Sequence, residues 1–132
     1  MIIDSSALVA IALQEPGWQD IFNILVARPN SGIATPTLVE TGIVLSARFN
    51  RDMQPQLLRM LHEFSIVMIP FGEQHWQAAF DAYLKFGKGR HLAALNFGDC
   101  ISYATAYLAA EPLFFVGDDF TATDIEVALI KH

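Results

Sequence analysis

Apolar positions along the chain follow two rhythms. Short, nearly continuous runs at Met1-Ile2-Ile3, Ser65 to Ile69 and Leu113 to Val116 have the length and the β-branched or aromatic content of buried strands. The first of these runs ends on an acid, Asp4. Between them, apolar residues recur at helical spacing over Ser5 to Gln14, Trp18 to Ala27, Pro36 to Phe49, Pro55 to Phe64, Glu73 to Phe86 and Gly98 to Ala110. Pro16-Gly17 separates the first two helices, Thr35 fits the N-cap of the third, and Pro36 suits its first turn. Gly32 to Thr35 is a weaker strand candidate, and Ile125 to Ile130 fits one more short edge strand.

Strands alternating with helices predict a parallel sheet covered on both faces, an α/β three-layer (α/β/α) sandwich with a mainly parallel sheet of four or five strands. Sites in such sheets form beyond the carboxyl ends of the strands. The 132 residues fit one domain, without internal repeat or low-complexity segment. The aromatics Trp18, Phe22, Trp76, Phe80 and Tyr83 either cover a base or a partner or pack in the core, and their helical spacing favours core packing.

Composition narrows the class. Hydrophobic residues make up 53% of the chain and charged residues 17%, an apolar excess that leaves surface for a partner to cover. No apolar run is long enough to span a bilayer, and the N-terminus has neither the basic stretch nor the cleavage site of a signal peptide. The single cysteine, Cys100, excludes an internal disulfide and fits a reducing cytoplasm. The net charge of −6 argues against nucleic acid as a partner unless acids gather in one metal site. Setting four acids aside leaves ten against eight bases, a remainder of −2.

Four acids interrupt apolar surroundings. Asp4 and the pair Asp118-Asp119 follow strands, Asp99 opens an otherwise uncharged helix, and Glu40 precedes Ile43 and Val44 by three and four positions. Each has a structural reading of its own. Asp4 suits a cap on the helix from Ser5, Asp99 gains from a helix dipole, Glu40 could complete a capping box with Thr37, and Asp118-Asp119 suits a turn. Together they mean more. Carboxylates converging without basic partners repel one another, and a divalent cation removes that cost. Magnesium takes hard oxygen ligands and keeps waters, one of which can attack a phosphodiester. Ser6 either supports such a site or begins a helix. No serine–histidine–acid or cysteine–histidine set competes, and Gly87-Lys88-Gly89-Arg90 lacks a P-loop ending. That basic loop, with Arg48 and Arg51, either grips phosphates or is ordinary solvated charge.

The opening Met-Ile-Ile-Asp-Ser-Ser-Ala-Leu-Val-Ala resembles the start of PIN-domain toxins of the VapC type. Leu95-Asn96-Phe97-Gly98-Asp99-Cys100 with Tyr103-Ala104, Phe115-Val116-Gly117-Asp118-Asp119-Phe120 and Thr123-Asp124-Ile125 extend the resemblance over essentially the whole chain. The resemblance implies a magnesium- or manganese-dependent endoribonuclease that cuts transfer or ribosomal RNA, forms homodimers and is silenced by a cognate antitoxin. It implies Asp4 and Asp99 as metal ligands, Glu40 as a ligand directly or through water, and Ser6 as support. The fourth acid is Asp118, first after the strand, or its neighbour Asp119. The alternative is a non-catalytic PIN-like module that binds RNA or protein. A receiver-type signalling domain fits poorly, since Asp4 has no acidic neighbour and the only late lysine is Lys131.

Overall fold

In the computed structural model, which describes residues 1–128, strands and helices alternate as the apolar pattern requires. The order is β1 (Ile2–Ile3), α1 (Ser5–Ala12), α2 (Trp18–Ala27), β2 (Gly32–Ala34), α3 (Thr35–Phe49), α4 (Gln54–Glu63), β3 (Val67–Ile69), α5 (Glu73–Phe86), α6 (Phe97–Ala109) and β4 (Leu113–Phe114). The strands form one sheet in the order β3-β2-β1-β4, every neighbouring pair parallel. Among the described residues, no helix is long and apolar enough to cross a membrane.

The two-residue repeat of a strand sends neighbouring side chains to opposite faces, and here it divides the core. Ile2, Ala34 and Leu113 pack with Ala79, Ala82 and Phe86 of α5 and with α6. Ile3, Ile33 and Phe114 pack on the other face with Ala7 and Leu8 of α1, Ile21 and Leu25 of α2, and Leu57 and Leu61 of α4. The three-layer sandwich is therefore realised. The stretch Cys100 to Ala106 of α6 is buried without interruption, matching its lack of charge.

Several boundaries differ from the pattern. β4 stops at Phe114 because the Val116 N–H turns away to the Ser6 hydroxyl at 3.0 Å. Beside it, Val127 makes only an isolated parallel bridge with Leu113, and residues 129 and 130 of the expected edge strand lie outside the described residues. Helix α3 begins at Thr35, with Ala34 as its cap, so Thr37 is already inside the first turn. A Thr37–Glu40 capping box is thereby lost, and the buried Thr37 hydroxyl has no partner among the described residues. The aromatics are the clearest correction. Trp76, Phe80 and Tyr83 are 56%, 56% and 41% exposed, because α5 turns its small stripe of Ala79 and Ala82 towards the sheet and α6 instead. They line an apolar cavity of about 610 Å³ with Phe97 and Ile101. Phe22, also partly exposed, packs edge-on against Trp18 and Phe64.

Candidate active site

Parallel β1 and β4 bring their carboxyl ends to one rim, and the acids collect there. Asp4 leaves β1 with its own N–H still bonded to the Phe114 carbonyl at 2.9 Å. It caps α1, its Oδ2 accepting from the Ser6 N–H at 3.2 Å and the Ser6 hydroxyl at 2.6 Å. Its Oδ1 accepts from the Ser102 hydroxyl of α6 at 2.5 Å. The carboxylate is buried yet fully oriented, which loosely held acids are not. Ser6 does double duty, since its oxygen also accepts the Val116 N–H and so ties Asp4 to the segment after β4.

Asp99 is the third residue of α6 and shares a capping box with Asn96: the Asp99 N–H donates to Asn96 Oδ1 at 2.9 Å, and the Asn96 N–H to Asp99 Oδ2 at 3.1 Å. Among the described residues Oδ1 receives no hydrogen bond. Burial pushes the Asp99 carboxyl up to about 6. The Asn96 N–H opposes that shift, while the charges of Asp119, Asp4 and Glu40 add to it. The structural reading of Asp99 as a helix-start residue and its place in an acid cluster thus hold together.

Glu40, half-buried on α3, is also raised, chiefly by burial; a hydrogen bond with the Ser5 side chain opposes this and the Asp4 charge reinforces it. Its carboxylate lies against the bare Cα of Gly98 at the start of α6, where an added Cβ would stand 2.7 Å from Oε1 and 2.8 Å from Cδ. Asp118 and Asp119 are exposed on the turn after β4, entered through Gly117 at a φ of 104° that favours glycine. The Asp118 carbonyl accepts from the Thr121 N–H and hydroxyl, closing the turn. Of the two, Asp119 is the one whose charge acts on Asp99.

The carboxylates at this rim are those of Asp4, Glu40 and Asp99, with Asp119 acting on Asp99 from the turn, and neither described ion pair (Met1 with Glu111, Lys85 with Asp124) reaches them. Burial and neighbouring carboxylate charge raise Asp99 and Glu40, and hard oxygen donors of this kind suit a hard divalent cation. Among the described residues no three His, Cys, Asp or Glu side chains stand close enough to enclose one ion. A hydrated divalent ion that keeps several waters needs only one or two direct carboxylates. Cys100, with its thiol pushed up to about 11 by burial and the Asp99 charge, is no nucleophile at neutral pH.

The model of the PIN domain matches residues 1–126. The chain belongs to the PIN-domain family. This PIN domain is 39% identical over 125 residues to Ribonuclease VapC of Mycolicibacterium smegmatis, spanning 95% of the chain and 97% of that protein. It is 41% identical over 127 residues to Ribonuclease VapC36 of Mycobacterium tuberculosis, spanning 96% and 91%. Its fold matches that of the Mycobacterium tuberculosis sarcin-ricin loop cleaving toxin VapC20, with a TM-score of 0.77 at 15% identity, over 96% of the chain and 97% of that toxin. A toxin–antitoxin complex from Klebsiella pneumoniae superposes with a TM-score of 0.70 at 19% identity, over 96% and 95%.

Sequence reasoning singles out Asp4, Ser6, Glu40 and Asp99 in this PIN domain, and the structure brings them together. It misses Ser102, Ser5 and the seat at Gly98. Ser102 carries a usable signal, standing three positions after Asp99 and so on the same helical face. Ser5 and Gly98 carry none, because their partner Glu40 arrives from another helix.

Proposed function

We propose that this PIN-domain protein is a metal-dependent endoribonuclease, the toxin of a toxin–antitoxin pair, with the carboxylates of Asp4, Glu40, Asp99 and Asp119 forming the site of Mg²⁺ (Mn²⁺ as a substitute), directly or through its waters. The carrying observation is the rim itself: four carboxylates that no described basic side chain neutralises, in a chain akin throughout its length to VapC ribonucleases.

A divalent cation bound there supplies the Lewis acidity that makes water nucleophilic towards a phosphodiester. The chain's residues do the rest. Ser6 and Ser102 fix both oxygens of Asp4, and the Asn96 N–H fixes one oxygen of Asp99 while the other stays available. Glu40, held by Ser5 and seated on Gly98, faces the same space from α3. Asp119 and its neighbour Asp118 stand at the open edge, Asp119 acting directly on Asp99.

RNA would approach past the loop between Phe86 and Leu95, which a Gly87–Leu95 bridge closes. Lys88 of that loop shares a cavity wall with Asn96 and Phe97, beside the Asp99 helix, a sensible place for a cation that meets phosphate. The exposed Trp76, Phe80 and Phe97 offer the apolar anchors that a protein partner buries, which suits an antitoxin and a homodimer. Transfer or ribosomal RNA is the substrate class proposed.

Induced expression in bacterial cells, with mapping of new RNA ends, tests the toxin reading. Growth arrest together with one recurrent cut in a transfer or ribosomal RNA, both relieved by the protein encoded beside it, is expected. Arrest without new RNA ends, or RNA binding without cleavage, would favour a non-catalytic module.

A further inference from the structure

Alanine is the better helix former at the second position of α6, and Gly98 does not have the positive φ that would call for glycine. The residue is nevertheless a glycine, and the space where its Cβ would stand is filled by the Glu40 carboxylate. We propose that the bare Cα of Gly98 is the seat of the Glu40 carboxylate, making Gly98 a positioning residue of the site.

The geometry explains how an acid on α3 is delivered to a rim built from β1, β4 and α6. Glu40 shares a pocket with Val39, Val44, Phe97, Gly98 and Ile101, and its carboxylate reaches the Ser5 side chain from there. A methyl group at position 98 would meet both carboxylate oxygens and Cδ, so the side chain must swing aside. Asp99 follows immediately in the chain, and the seat therefore fixes the spacing between Glu40 on α3 and Asp99 on α6. A residue with any side chain at 98 would leave the backbone of α6 intact and misplace one ligand.

The inference rests on the metal-holding role proposed above for Glu40. Its test is Mn²⁺ binding followed by electron paramagnetic resonance, on the full chain, for wild type, Gly98→Ala, Glu40→Asp and the double variant. Gly98→Ala should weaken Mn²⁺ binding by tenfold or more while melting no lower than wild type. Glu40→Asp, shorter by one methylene, should weaken it alone and partly restore it in the Gly98→Ala background. Wild-type affinity in Gly98→Ala, or a double variant no better than Gly98→Ala, would overturn the seat. Should Gly98→Ala fail to fold, restoration by Glu40→Ala supports the crowding, and no restoration refutes it. If wild type itself binds no Mn²⁺, the metal reading fails, and crystal structures of wild type and Gly98→Ala still decide the seat: a displaced Glu40 carboxylate supports it and an unmoved one overturns it.

Discussion

The Ser102 hydroxyl donates to Asp4 Oδ1 across 2.5 Å, joining residues 98 positions apart and locking the helix of Asp99 to the end of β1. Loss of a partner that orients a metal ligand costs roughly 10- to 100-fold in affinity or activity. Ser102→Ala is therefore expected to lose RNA cleavage by that factor while retaining its circular dichroism spectrum. Cleavage within twofold of wild type would show that Asp4 needs no such anchor.

The raised Asp99 carboxyl gives the protein a pH signature. That group is raised from 3.8 to about 6 in the folded protein, first by burial, so the folded state holds a proton that the unfolded chain has released. Its contribution to stability is present below about pH 4 and lost as pH rises through about 6. In EDTA, Asp99→Asn should thus gain stability over wild type between pH 4.5 and 7.5, read by urea denaturation. A difference that stays flat with pH contradicts the shift. The same carboxyl must be ionised to hold a cation, so Mn²⁺ affinity should fall below pH 6.

Neighbouring acids after β4 separate by a single residue. Because Asp119 rather than Asp118 acts on Asp99, Asp119→Asn should reduce cleavage by about tenfold or more, the scale of losing one transition-state charge contact of roughly 1.4 kcal/mol. Asp118→Asn should remain within a few-fold of wild type. Reversed effects would return the role to Asp118.

The segment carrying both acids is fastened at Asp124, which accepts from the Tyr103 hydroxyl and pairs with Lys85 at 3.3 Å. These partners hold the Asp124 carboxyl below its ordinary range, the Tyr103 bond contributing most. Tyr103→Phe should cost about 1 kcal/mol in urea denaturation, given how exposed Asp124 is, and should lower cleavage by loosening the turn of Asp119. Unchanged stability would mean that the fastening lies elsewhere.

Helices and acids are the legible part of this chain. Helical periodicity locates six helices among the described residues, and Asp4, Glu40 and Asp99 stand out because apolar residues surround them. Strand ends are less legible: β4 stops two residues early because Ser6, 110 positions away, captures the Val116 N–H. Phe80 and Tyr83 share a helical spacing with core residues, but α5 buries its alanines, and only the closeness of α6 decides that. Whether Asp118 or Asp119 faces the site depends on the turn at Gly117, and the Gly98 seat depends on a side chain arriving from α3. Such facts belong to tertiary contacts and leave no local trace.

On the proposed function, the acid rim cuts RNA with a bound divalent cation. The decisive experiment incubates total cellular RNA with purified wild type and Asp99→Asn, in Mg²⁺, Mn²⁺ or EDTA. Discrete fragments are expected with wild type and either metal, none in EDTA, and none with folded Asp99→Asn. Fragments that persist in EDTA, or that Asp99→Asn produces at the wild-type rate, would contradict that function.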